Sequence, residues 1–498
     1  MSIRYYFEFI ALILIALLLN SSLTTPQLTT TRYYWLNVYY SDQSLTDPSS
    51  VSIIQDGFLV SSRIGITGDK IAVFKIDESG NISWSITLDS KGKSMNRIVG
   101  LGVRHVLVNT IEGYPSKIEL QFLSLDGTVL TPIHLSNPHW FNIHVQAVST
   151  FENRLFLIIA ESLTQRIAVI LVDNLGRVMD SRRISFRGID LTNLKIDGLC
   201  YSRDADAVVT ATVVKNKILL VSLDSWNARI KWIRTLEYSI NTSNIEIRGL
   251  SCTANYYVIL TNLIESGISK PYVSFVSING EKAVHLVIEG IDNYTPISSV
   301  NYGDRIVIAG TTENPTEKPK LVLTILNSEW SVLDSIEISI NNVSQYIGVE
   351  PVKDGFLIWG KSTVRNVDGL FLFKIKDIMN IPRFESLSSD SISVNVNVLD
   401  SNLSTVSFSE ESFSPTSEFS RSPIASNLVI RVERVYSYVE VGESMIKPGV
   451  EEKVVDMKSV KTGSLTILLV PILIPLVVTS ILLIYLTIKT KSLSSRRS

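Results

Sequence analysis

The chain has 498 residues, a formal net charge of −2 and 45% hydrophobic residues. That length allows one large all-β unit or more than one domain. The near-neutral charge excludes a general nucleic-acid binder, which needs a basic surface to hold phosphate.

Residues 1–24 read as a signal peptide or N-terminal anchor. Arg4 supplies the early positive charge, an apolar run covers Phe9 to Leu19, and Asn20, Ser21 and Ser22 end it. The run is too short to cross a ~30 Å hydrocarbon core as a helix, which is the secretory pattern. No A-x-A site stands out, so cleavage and retention as an anchor both stay open. An isolated strand pattern, Tyr33 to Tyr40 (YYWLNVYY), follows.

A repeat then dominates. DGFLVSSR leads to KIAVFKIDESGNISWSITL, and the same order of alternating strand, turn and strand returns five more times before a seventh repeat that stops short. Phe58, Val106, Leu155, Val208, Tyr257, Ile306 and Phe356 are equivalent, which gives spacings of 48, 49, 53, 49, 49 and 50 residues. A period near fifty with period-2 alternation predicts propeller blades and excludes helical solenoids. Gly80, Gly127, Gly176 and Gly280 fall in the turn between third and fourth strands, after Asp77, Asp126, Asp173 and Asn279. Short segments such as SVSIIQ, IVGLGV and DGLCYS supply a first strand, making four per blade. The seventh repeat lacks its outer strand, and Tyr33 to Tyr40 is the spare that would pair there and close the ring. The fold expected is therefore all-β: a seven-bladed propeller over 30–379, closed by an N-terminal strand, with a C-terminal stalk and one transmembrane helix.

Beyond the repeats the composition shifts. Residues 380–426 are Ser-rich with few large apolar side chains, and read as a stalk or plain disordered linker. Residues 427–462 read as a membrane-proximal β segment or linker. Residues 464–488 carry no charge and are long enough to span a bilayer; Pro471 and Pro475 are tolerated there. Lys489, Lys491, Arg496 and Arg497 make 489–498 a basic tail that the positive-inside rule puts in the cytoplasm. The propeller is then expected outside the cell, held to the membrane by one helix.

The unit around Asp77, Gly80 and Trp84, matched loosely by Asp224 and Trp232, resembles the repeat of extracytoplasmic propellers related to quinoprotein propellers. The whole arrangement resembles archaeal membrane-anchored surface proteins. The resemblance implies the fold and leaves function open, because propellers host unrelated activities.

Candidate chemistry is sparse. Cys200 and Cys252 fall on the innermost strands of adjacent blades, so a disulfide and two buried thiols are both compatible with their placement. N-x-S/T sequons at Asn81, Asn241, Asn293, Asn342 and Asn402 are candidate N-glycosylation sites. His134, His139 and His144 are spaced five and five beside Trp140 and Phe141, which matches no ligand motif, and surface or packing roles are expected. No catalytic, cofactor-binding or metal-binding residue is assigned, and no cofactor is implied. The expectation is a cell-surface binding or structural module with a protein or glycan partner, not an enzyme. A quinoprotein-like dehydrogenase or polysaccharide-active hydrolase is the alternative.

Overall fold

A computed structural model describes residues 33–439, short breaks apart, together with the strand Glu452–Lys453. The expected signal segment, transmembrane span and basic tail lie outside the described residues. Among the described residues no helix is long and apolar enough to cross a membrane.

The described chain forms seven antiparallel sheets arranged as the blades of a propeller. Blade one shows the plan, from the channel outward: Leu45–Ile54, Gly57–Ile64, Lys70–Asp77 and Ile82–Asp89. The second and third strands are buried on both faces, which is why they read as near-continuous apolar runs. Their side chains fill the seams between blades. At the seam of blades seven and one, Trp35, Phe58, Phe74, Leu357 and Leu372 share one core.

The ring closes as its sequence requires. Tyr33–Tyr40 pairs antiparallel with Val367–Ile375, placing Val38 opposite Phe371, and serves as the fourth strand of blade seven. The first and last blades are thereby tied by backbone hydrogen bonds, leaving no open edge between them.

Each Gly-bearing turn is a docking point for the neighbouring blade. Gly80 and Gly127 adopt φ of +82° and +84°, a region that glycine reaches without steric cost. A Cβ on Gly127 would lie 2.7 Å from Trp84, and one on Gly80 would lie 3.0 Å from Trp35. Trp35 donates its indole N–H to the Glu78 carbonyl at 2.9 Å, and Trp84 donates to Leu125 at 2.9 Å. Trp232 repeats the contact on blade five, donating to Ile278 at 3.1 Å over Gly280. The Trp of one blade thus covers the turn of the next, so the repeat's Trp and Gly act across seams rather than within a blade.

The expected stalk is corrected. Residues 387–439 run backward around the whole ring and add an outermost strand to every blade. Leu387–Ser391 pairs with blade six, Asn395–Asp400 with blade five, and Asn402–Thr405 with blade four. Phe408–Ser412 pairs with blade three, Thr416–Phe419 with blade two, and Ser426–Asn427 with blade one. Arg431–Val439 then pairs with Tyr33–Tyr40, and Glu452–Lys453 folds back on it, so the expected membrane-proximal β segment is in part the edge of blade seven. Blades one to six hold five strands and blade seven six, not four.

The physical reason lies in where this belt places its few apolar side chains. Val394 enters the core shared by blades five and six, Val406 that of blades three and four, and Ile430 and Val432 that of blades seven and one. Phe413 sits under the Arg183 guanidinium, 4.3 Å from its ring centre, and edge-on to buried Trp140. Between these anchors Ser404, Ser407, Ser409, Ser412 and Ser417 face water, and the belt backbone completes the ladder of the outer strands.

Candidate functional site

With the rim covered, the site that remains is the central channel. The first strands of the blades line it, and they are joined seam by seam through side chains. The Ser50 hydroxyl donates to the Ile98 carbonyl at 3.4 Å, and the Gln146 amide to Ile196 at 3.3 Å. The Ser298 hydroxyl donates to Val349 at 2.6 Å, and the Ser251 and Ser299 hydroxyls bond each other. Between blades four and five the link is covalent. Cys200 and Cys252 form a disulfide with Cα atoms 5.8 Å apart. The bridge forms because the two strands come from neighbouring sheets and meet at the channel wall.

These strands enclose a cavity of about 470 Å³. That is within the range of small-ligand sites. Its charged lining comes from three blades: Arg97 on blade two, Arg248 on blade five and Glu350 on blade seven. β-bulges shape it. The pairing of blade five's first strand slips between Ile247 and Gly249, leaving Arg248 as the extra residue. Blade six slips in the same way at Ile297 and blade seven at Ile347. An extra residue turns the strand locally and re-aims its side chain.

The charges are unequal in setting. Glu350 and Arg97 are hemmed in by the channel walls yet still reached by solvent. Burial pushes the Glu350 carboxyl up to about 7, with Arg97 opposing the shift. Burial also lowers Arg97, with Glu350 opposing. Arg248 is exposed and pairs with Glu246 at 2.5 Å. Gln146 contributes a buried side-chain oxygen with no hydrogen-bond partner among the described residues.

The other residues marked from the sequence fall elsewhere. His134 lies on the fourth strand of blade two, 3.1 Å from Glu119, while His144 lies on the first strand of blade three and His139 in the loop between them. Among the described residues no group of three His, Cys, Asp or Glu is placed to hold a metal ion. Trp140 is fully buried, bonded to Glu161 at 2.7 Å, and so belongs to the packing of blade three.

Asn293 and Asn342 are exposed in inter-blade connections, each with positive φ. Asn81 follows a blade turn, where its amide donates to Asp77 at 3.3 Å and its oxygen accepts from Arg434 of the belt. Asn402 opens the belt strand on blade four, and Asn241 lies outside the described residues. Sequence reasoning missed Arg97, Arg248 and Glu350. Their one signal was charge on the first strands of three blades.

No protein-family model matches the chain, and no curated protein matches its sequence. Solved structures match in fold. A polysaccharide lyase, Uly1, is 8% identical over 68% of this chain and 98% of its own, with a TM-score of 0.45. The Dos1 propeller is 10% identical over 65% and 77%, with a TM-score of 0.41. A europium-containing methanol dehydrogenase is 8% identical over 66% and 85%, with a TM-score of 0.35. At such identities these likenesses say nothing of what the chain does, and the assignment as a seven-bladed β-propeller rests on the strand pairings themselves.

Proposed function

We propose that the chain is a membrane-anchored, extracytoplasmic propeller that acts as a recognition module for a protein or glycan partner, not as an enzyme. One observation carries this reading. Belt and closing strand cover the outer rim of every blade, so recognition is left to the two faces and the polar channel between them. The apolar segment 464–488 and the basic residues after it supply the anchor in this reading. A charge of −2 gives no reason to invoke nucleic acid.

A hydrolytic reading has one point in its favour, the raised Glu350 carboxyl in a cavity. Glycoside hydrolysis ordinarily uses two carboxylates flanking the bond. Among the described residues lining the cavity, Glu350 is the one acid. Recognition is therefore the better account.

The test uses intact cells. Protease added outside should digest the propeller and leave the 489–498 tail protected, and crosslinking should join the chain to one stoichiometric partner, protein or glycan. A chain resistant to external protease only until the cells are opened, or a repeatable absence of crosslinked product, overturns the proposal.

A further inference from the structure

We propose that the channel cavity binds a hydroxylated carboxylate the size of a sugar acid, its carboxylate between Arg97 and Arg248 and its hydroxyls on Glu350. This deepens the reading of the propeller as a recognition module and rests on it.

The arrangement selects for mixed chemistry. Arg97 and Arg248 come from blades two and five, three places apart in a ring of seven, so they approach the cavity from opposite sides. Guanidinium groups suit a planar carboxylate, which they can hold through paired N–H donors. The Arg248–Glu246 pair does not compete strongly. Both side chains are more than 40% exposed, and exposed pairs contribute little. Arg248 can therefore turn from Glu246 to a ligand at small cost.

The acceptors exclude simpler ligands. Glu350 lines the same space as the two arginines and takes donors there. Inorganic phosphate would meet the Glu350 charge and bring no hydroxyl donors for it. A neutral sugar would satisfy Glu350 but offer the arginines no anion beyond Glu350 and Glu246, which they already face. A compound with one carboxylate and several hydroxyls answers all three groups. Ser251 and Asn301 add further polar atoms on the same wall. A cavity of about 470 Å³ suits a small ligand of this kind rather than a long chain.

Calorimetric titration of the full chain in detergent micelles tests this, with D-glucuronate, D-glucose and inorganic phosphate as probes. Glucuronate should bind, and the other two should bind at least tenfold more weakly. Arg248→Gln should weaken glucuronate at least tenfold with an unchanged melting temperature. Arg97→Gln alone leaves Glu350 uncompensated, so the charge-balanced pair R97Q/E350Q is the second variant, expected to fold and to lose binding. The proposal is overturned if glucuronate gives no heat at millimolar concentration, if glucose or phosphate matches it, or if Arg248→Gln has no effect. Should glucuronate fail while crosslinking on cells still yields a partner, the recognition reading stands and only the ligand class falls.

Discussion

The ring over 33–375 and the belt over 387–439 are both β-structure, and they are written in opposite ways. Ring strands are buried on two faces, so apolar residues fill them and the fifty-residue beat is plain. Belt strands before Arg431–Val439 have a backbone partner on one side and water on the other. The strand Phe408–Ser412 is exposed along its whole length and still pairs residue for residue with blade three. The lesson is that hydrophobic pattern reports burial of side chains, whereas a strand can be specified by backbone pairing plus one apolar anchor per seam.

The sharpest way to break this comparison is to remove the belt. A chain ending at 453 and one ending at 386 both lack the expected membrane span, and differ in the outer strand of every blade. Loss of the belt strips buried Val394, Val406, Ile430 and Val432 from three seams. Each such side chain stabilises by about 1.5–3 kcal/mol when fully buried. It also bares seven strand edges, which invite pairing between molecules. The shorter chain is expected to melt at least about 10 °C lower and to aggregate. Calorimetry and size-exclusion chromatography check this. Equal melting of the two would show the belt to be ornament on a self-sufficient ring.

How far the sequence could be read follows from the same contrast. The ring, its count of seven and its closure by Tyr33–Tyr40 were legible because burial forces period-2 alternation. Trp35 could have been recognised too. It precedes Trp84 by 49 residues, one full repeat, and makes the same contact with the turn of the next blade. The belt was illegible because its anchors are unevenly spaced. From Val394 to Val406 is 12 residues and from Val406 to Phe413 is 7, since the rim between blades is crossed by loops of differing length. The channel charges were hidden for another reason. Arg248 is the extra residue of a bulge, so counting repeats does not place it beside Arg97 or Glu350.

A smaller effect probes the ring beneath the belt. His285 lies on the fourth strand of blade five, opposite Leu399 of the belt. It is 2% exposed, bonded to the Ser274 hydroxyl at 2.7 Å and stacked on Tyr238. Burial lowers it from 6.5 to about 4. The unfolded chain therefore takes up a proton near pH 6.5 that the folded chain refuses until about pH 4. Stability from the neutral imidazole is complete above 6.5 and is lost as pH falls from there to 4, by at most about 3 kcal/mol. Urea unfolding at pH 7 and pH 4.5 should show that loss, and His285→Gln should shrink it. His105, likewise lowered to about 4 by burial, adds a parallel loss that the variant leaves in place. An unchanged pH slope in the variant would mean that His285 is protonated or hydrated in the folded ring.

The smallest expected effect lies on the belt's own surface. Arg166 on blade three reaches Glu411 on the belt at 2.5 Å, with the two side chains 36% and 51% exposed. The contact is short, but both partners are solvated, and holding two long side chains in one geometry costs entropy that offsets much of the attraction. Glu411→Gln is expected to lower stability by less than about 1 kcal/mol, and molar salt should erase the difference because surface pairs are screened. Phe413→Ala, two residues on, removes an anchor from the seam of blades two and three and should cost more, with no dependence on salt. Urea unfolding of the two variants at low and high salt separates the cases. A salt-sensitive loss at Glu411 larger than the loss at Phe413 would mean that the belt is held by charge rather than by its seam anchors.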